Sequence, residues 1–317
     1  MATRTQWPTE ALFEDSELSV RSVNWHVWPH CNYQCKFCFA RFNKDGSSKD
    51  TLKPEEGFRL ISQLVEAGME KITFVGGEPL LCPYIGDYLI HSNDLGCLTM
   101  VVTNGSLLTE KFLERYGCVI DWIGVSMDSA IESTERTLGR GLGNHLSNLI
   151  KVAKLVHEYG IKLKVNVTVT RLVLQENLHD FLRLLEPDRL KFLQVLPVKG
   201  QNDETIRDLV ISVEEFNQFV ERHGGLDLIA EDNEMMRESY VMIDPRGRFF
   251  QNTRGIYKYS SSIQEIGIWE ALHQVGFSWK KLVKRGGSKY FVDGNSGVRL
   301  DSHDVIVGGG GSGTSIL

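Results

Sequence analysis

From Val23 onward the apolar positions of this 317-residue chain fall into two alternating rhythms. Short β-branched runs at 23–28, 71–75, 98–103, 122–127, 162–170 and 189–195 read as strands, and the longer stretches between them repeat apolar residues at helical spacing. Phe58, Ile61, Leu64 and Val65 form one such face, and Leu146, Leu149, Ile150, Val152 and Leu155 another; both are expected to pack against a sheet. Pro54 suits a first helical turn, Glu55 and Glu56 favour the positive end of its dipole, and Gly68 and Gly160 are natural stops. Six strand–helix alternations predict an α/β fold, a partial (β/α)6 TIM-like barrel whose open side suits a larger ligand.

After residue 200 the rhythm loosens. A helix at 213–223, a hairpin about 239–250 turning at Asp244-Pro245-Arg246-Gly247, and helices near 268–275 and 278–283 predict a capping extension. The expected organisation is an N-terminal segment 1–20, a barrel 21–200, a cap 201–295 completing the ligand site, and a flexible tail 296–317 containing the glycine–serine tract.

Composition narrows the class without naming it. With 42% hydrophobic and 24% charged residues the chain has material for a real core. A net charge of -6 argues against a surface that coats nucleic acid, so no direct nucleic-acid partner is expected. No apolar run reaches the ~18 residues of a membrane span, and residues 1–20 lack a signal-like core. Six cysteines are too few for a disulfide scaffold, and clustered thiols need reducing surroundings, so a cytoplasmic protein is expected.

Three of those cysteines carry the chemistry. Cys31, Cys35 and Cys38 stand in HCNYQCKFCFAR, a CxxxCxxC spacing with no fourth cysteine nearby. Thiolates suit zinc or iron–sulfur centres, and a three-ligand set leaves a metal position for an external ligand, as catalytic centres require. Cys82, Cys97 and Cys118 have no ligand-like spacing and are expected to be buried free thiols. His26 and His30 flank the triplet; His26 alternates with Asn24 along a strand and reads as structural.

A second chemistry lies inside the strands. Lys71, Lys164, Arg189 and Lys191 interrupt apolar runs, and Arg189 and Lys191 alternate onto one face. Cations gathered inside a barrel are costly without an anion, and a triphosphate matches them. Lys284-Arg285-Gly286-Gly287 offers another phosphate contact.

CxxxCxxC followed by an aromatic, with GGEP after the second strand, resembles the radical S-adenosylmethionine enzymes. The segments SVNWH, CNYQCKFCF, EAGMEKITFVGGEP, TNGSL, SMDS, GRG, LKVNV, DRLKFLQ, SYVMID and KRGGSKY, spread between Val23 and Tyr290, resemble the viperins, the nucleotide-modifying branch of that superfamily. The resemblance implies a 4Fe-4S cluster on Cys31, Cys35 and Cys38, and S-adenosylmethionine bound by Gly76, Gly77, Glu78, Thr103, Asn104, Ser126 and Arg140. It implies a nucleotide held by Asn24, Lys71, Lys164, Arg189, Lys191, Tyr240 and Arg285, with Tyr240 as a candidate radical relay or a packing residue. The implied reaction abstracts hydrogen from the ribose of a ribonucleoside triphosphate and loses water, giving a 3'-deoxy-3',4'-didehydro nucleotide, a chain terminator in antiviral defence. CTP is the first candidate, with UTP and GTP open because 252–262 departs from the family pattern. Mg2+ with the nucleotide and an electron-donor protein are implied partners. Vertebrate members carry an N-terminal membrane helix and a tryptophan-terminated tail with no counterpart here, so a soluble microbial member is expected. The alternatives are a radical maturase of peptides or proteins, which commonly carries further cysteine clusters, and a zinc or iron–sulfur binding module.

Overall fold

A computed structural model describes residues 20–42 and 51–284. Among the described residues ten strands form one sheet: β1 (Ser22–Trp28), β2 (Lys71–Gly76), β3 (Leu98–Thr103), β4 (Trp122–Ser126), β5 (Lys162–Val169), β6 (Arg189–Gln194), β7 (Leu228–Glu231), β8 (Met242–Ile243), β9 (Arg248–Thr253) and β10 (Ile256–Ser262). Eleven α-helices lie among the described residues: α1 (Pro54–Glu66), α2 (Ile85–Asp94), α3 (Glu110–Tyr116), α4 (Glu132–Leu138), α5 (His145–Glu158), α6 (His179–Leu185), α7 (Val213–Arg222), α8 (Asn233–Met236), α9 (Ile263–Ile266), α10 (Ile268–Gln274) and α11 (Trp279–Lys284).

The sheet order is β10-β9-β8-β1-β2-β3-β4-β5-β6-β7, with β1 to β7 parallel and consecutive. β8 also runs parallel to β1, and β9 and β10 return antiparallel. The partial α/β barrel therefore stands, lengthened by a seventh parallel strand that the chain's periodicity did not reveal. The expected hairpin at 244–247 is present between β8 and β9, where Asp244 Oδ1 accepts the amides of Arg246 (3.0 Å) and Arg248 (2.9 Å) and Gly247 takes φ 72°.

Residues from β1, β2, β3, β5, β6 and β7 meet around one cavity. In a flat sheet, neighbouring strands lie ~4.8 Å apart and β1 and β7 would be far separated, so the convergence shows how tightly the sheet curls. Its outer face is covered by helices. In α1, Leu60, Ile61 and Leu64 are fully buried, each contributing about 1.5–3 kcal/mol by leaving water. Phe58 and Val65 pack only partly, so the face is rotated toward Leu60 from the one expected. In α5 the buried stripe is Leu146, Leu149, Val152, Ala153 and Val156, while Ile150 is exposed and Leu155 half-covered. Cys82 and Cys97 are buried as expected; Cys118, at the loop before β4, is exposed, which corrects that expectation.

Candidate active site

The loop after β1 carries Cys31, Cys35 and Cys38 and is fastened on two sides. On one side it runs beside the end of β2, where Gly77 N donates to Trp28 O and Glu78 N to His30 O, both at 2.7 Å. A Cβ on Gly76 would stand 2.6 Å from Trp28 O and one on Gly77 2.2 Å from His30 O, so this approach requires glycine at both positions. On the other side Gln34 N donates to Gly139 O (3.1 Å) and Lys36 N to Leu138 O (2.8 Å). Gly139 closes α4 with φ 84°, and a Cβ there would meet Gln34 O at 2.2 Å.

Glu78 is fully buried but well satisfied. Its carboxylate accepts Thr103 Oγ1 at 2.6 Å, Asn104 N at 2.9 Å and Leu80 N at 3.1 Å, while burial pushes its pKa up. Asn104 then reaches the cysteine loop, donating to Asn32 Oδ1 at 2.8 Å and approaching Cys31 Sγ at 3.9 Å; Tyr33 N also donates to that sulfur at 3.3 Å. The turn after β3 is thus locked to the first cysteine.

Arg140 follows Gly139 into the same rim and is buried, with its guanidinium 5.4 Å above the Phe37 ring. Its Nε pairs with Asp128, and Glu135 lies 3.8 Å away. Glu135 accepts the amides of Asp128 (2.8 Å) and Ser129 (3.0 Å), and burial, reinforced by the Asp128 charge, pushes its pKa up to about 8. The two terminal nitrogens of Arg140 make no hydrogen bond among the described residues, leaving that edge of the fork for an anionic ligand. Ser126 contributes its carbonyl to His145 Nε2 at 2.9 Å. Burial, reinforced by the charge of Arg140, lowers the His145 pKa to about 3, so that ring is neutral.

No three His, Cys, Asp or Glu side chains among the described residues converge tightly enough to cage a single ion. The donor set is nevertheless that of an iron–sulfur cluster: three thiols on one loop with backbone and amide N–H groups aimed at sulfur. Burial raises all three thiol pKa values, that of Cys35 to about 12, while Arg140 opposes the shift at Cys35 and Cys38. Thiols on a partly covered loop of this kind, with Cys31 itself exposed, become thiolates when a metal compensates them, so the residues fit a cluster of this kind.

Inside the curled sheet, Asn24, Lys71, Lys164, Arg189, Lys191, Glu231 and Tyr240 line one polar cavity. Register explains the convergence: Lys164 lies beside Arg189, and Asn166 beside Lys191, so β5 and β6 present their cations to the same face. Lys71 and Arg189 open their strands, so the cavity extends from the strands' N-terminal ends toward the rim. Lys71 is buried, and its pKa is driven well below the ordinary lysine value, first by desolvation and then by Lys164, Arg189 and Lys191. Sequence reasoning missed Glu231. It ends β7, places Oε1 2.5 Å from Lys191 Nζ, and accepts the Tyr240 hydroxyl at 2.5 Å through Oε2; Lys191 also donates to Tyr240 at 2.7 Å. A larger but shallower cleft of about 500 Å³ lies at the exit of β6, bounded by Leu196, Asn233 and Gly255, and lacks this density of buried cations. Arg285 and the glycine–serine tail lie outside the described residues.

Residues 25–186 match the family described as the Radical SAM superfamily. The chain belongs to that superfamily, whose members work with a 4Fe-4S cluster and S-adenosylmethionine. It is 44% identical over 275 residues to the S-adenosylmethionine-dependent nucleotide dehydratase of Flammeovirga pacifica, covering 84% of this chain and 95% of that one. It is 36% identical over 279 residues to the S-adenosylmethionine-dependent nucleotide dehydratase RSAD2 of Danio rerio, covering 84% and 77%. Within the superfamily it is a nucleotide dehydratase of the viperin type. The fold is shared more widely: native anSMEcpe with bound AdoMet and Kp18Cys peptide superposes with a TM-score of 0.61 at 14% identity, over 83% of this chain and 82% of that one.

No helix among the described residues is long and apolar enough to cross a membrane.

Proposed function

We propose that Cys31, Cys35 and Cys38 hold the cluster, that Gly76, Gly77, Glu78, Thr103, Asn104, Ser126 and Arg140 surround S-adenosylmethionine, and that the cationic cavity binds the triphosphate of a ribonucleotide. When bound, the cluster and S-adenosylmethionine supply a 5'-deoxyadenosyl radical, and the overall reaction removes water from the ribose to give a 3'-deoxy-3',4'-didehydro nucleotide. The observation that carries the nucleotide reading is the gathering of Lys71, Lys164, Arg189 and Lys191 on one cavity beneath the cysteine rim.

The residues divide the work by position. Lys71, Lys164 and Arg189 neutralise phosphate oxygens at the closed end of the barrel, with Mg2+ as the expected counter-ion, and this anchoring directs the nucleoside toward the rim. Arg140 turns its open edge to the cofactor carboxylate. Glu231 orients the Tyr240 hydroxyl and holds a proton acceptor beside it, so Tyr240 is placed to relay an electron or proton. The region 201–295, which contributes β7 to the sheet, completes the nucleotide site, and Arg285 is read as a further phosphate contact. We assign CTP as the preferred substrate, a separate protein as electron donor, the cytoplasm as the compartment, and anti-phage defence through chain termination as the biological role.

The test reconstitutes the cluster without oxygen, adds reductant, S-adenosylmethionine and each ribonucleoside triphosphate in turn, and measures 5'-deoxyadenosine and nucleotide dehydration. CTP is expected to stimulate both most strongly. Cofactor cleavage indifferent to every triphosphate would overturn the assignment.

A further inference from the structure

Buried polar atoms without a hydrogen-bond partner are scattered singly or in pairs among the described residues, but the last residues of β9 form their longest consecutive run. Gln251 and Asn252 are buried, yet Gln251 Oε1, both amide atoms of Asn252, and Thr253 Oγ1 have no hydrogen-bond partner among the described residues. Buried polar atoms are satisfied in the great majority of native structures, so a run of orphans on three consecutive residues marks where something else supplies the partner.

Strand register says where Asn252 faces. Asn24, which lines the cationic cavity, pairs with Met242, and Met242 pairs with Phe250. Directly paired residues share a face and side chains alternate along a strand, so Asn252 lies on the same inner face as Asn24 and Phe250. Continuing the antiparallel β8–β9 register by two residues puts Asn252 beside Tyr240, whose carbonyl accepts the Gln251 amide. On its other side Asn252 pairs with Tyr257, whose hydroxyl donates to Phe39 O in the cysteine loop at 2.8 Å. The orphan amide thus stands between a wall of the cationic cavity and the loop that carries the cysteines. Phe250 and Tyr257, with ring centroids 4.9 Å apart, supply aromatic surface beside it.

We propose that the carboxamide of Asn252 reads the edge of the substrate's nucleobase and sets which base the enzyme prefers. The inference rests on the nucleotide reading above and adds a specificity-determining residue to it. A carboxamide presents a donor and an acceptor side by side, matching the adjacent acceptor and donor on a base edge, while aromatic rings suit the base's flat face. A site built to hydrogen-bond discriminates strongly, because a base that leaves the buried amide unmet forfeits both partners.

The test measures the affinities of the four ribonucleoside triphosphates and of inorganic tripolyphosphate for the full chain. Cluster and S-adenosylmethionine are in place and reductant is withheld, and the wild type is compared with Asn252→Ala and Asn252→Asp. The wild type is expected to hold one triphosphate about tenfold or more tighter than the weakest. Asn252→Ala is expected to weaken that one about tenfold and compress the four toward a common value, with tripolyphosphate binding unchanged. Asn252→Asp keeps the volume but loses the donor, and is expected to reorder the ranking. An unchanged ranking in both variants, or loss of tripolyphosphate binding in both, would overturn the inference. If the wild type binds neither tripolyphosphate nor any triphosphate, the nucleotide reading itself fails; if it binds them with a ranking insensitive to Asn252, only the base-reading role fails.

Discussion

The Nζ of Lys191 lies 2.5 Å from Oε1 of Glu231, a buried ion pair set among three further cations. Glu231 is the carboxylate that joins the cationic wall of the cavity to Tyr240, and its two oxygens serve the two neighbours separately. Against the proposed triphosphate its negative charge is unfavourable, so on that reading Glu231 serves the reaction rather than affinity.

That opposition separates binding from turnover. Glu231→Gln is expected to leave triphosphate affinity equal or tighter, because a repelling charge is gone, while lowering kcat by about tenfold or more as Tyr240 keeps a hydrogen-bond partner but loses its carboxylate proton acceptor. Calorimetry for affinity and product formation for rate check it; parallel losses in both would show that Glu231 merely supports the wall.

Lys71 is buried beside Lys164, Arg189 and Lys191, and desolvation followed by their charges drives its pKa down. Its folded-state pKa lies below the unfolded one, so its neutral form is favoured in the fold and the cost of charging it is in force at neutral pH, vanishing only as pH rises past the unfolded value. Lys71→Met is therefore expected to raise the melting temperature of the ligand-free chain while abolishing the stabilisation that tripolyphosphate gives the wild type. Thermal scans with and without tripolyphosphate decide it, and a lowered melting temperature in the free variant would contradict the account.

Gly77 passes too close to His30 for any side chain. Gly77→Ala must push the cysteine loop outward, and iron bound per chain after reconstitution is expected to fall by more than half, with far-ultraviolet circular dichroism unchanged. Gly96→Ala serves as the control: its φ of 81° makes it strained, but nothing lies within 4 Å of the added Cβ. Full iron content in the Gly77 variant would show that the loop can yield.

His145 is neutral in the fold, with its pKa lowered to about 3 by burial and by Arg140. Its stabilising contribution is complete above the unfolded value near 6.5 and is lost as pH falls toward 3, because the unfolded chain takes up the proton first. Between pH 6.5 and 5 the wild type should lose about 1.6 kcal/mol more than His145→Gln, approaching ~1.4 kcal/mol per pH unit below the unfolded value. Urea unfolding at both pH values measures the difference; equal losses would mean that the ring is charged or exposed.

Strands β1 to β5 were legible as short runs rich in β-branched or aromatic residues, and β6 as a short run alternating Leu190, Phe192 and Gln194 with Arg189, Lys191 and Leu193 between helical stretches. β7 was not: Leu-Ile-Ala-Glu is four residues long with three only partly buried, too short for either rhythm to register. Glu231 was hidden with it, since a lone acid at the end of an unrecognised strand looks like any loop carboxylate. β10 alternates tyrosines with polar residues and reads as surface, though Tyr257 touches the cysteine loop. The lysines and Arg189 were found because charge inside an apolar run is expensive and therefore informative. The partnership of Arg140 with Asp128 follows from the turn at Gly139, which only the fold displays.

Among the described residues the sheet stops short of closing and keeps two edges, β7 and β10, each presenting main-chain donors and acceptors that a neighbouring molecule's strand could extend. Both are poor templates for such growth. β7 offers four residues, and β10 breaks register between Tyr259 and Ser262 and carries the outward-facing, exposed Lys258. An unclosed sheet of this kind is thereby kept from becoming a seed for edge-to-edge aggregation, and crowded solutions of the enzyme should stay free of fibrils.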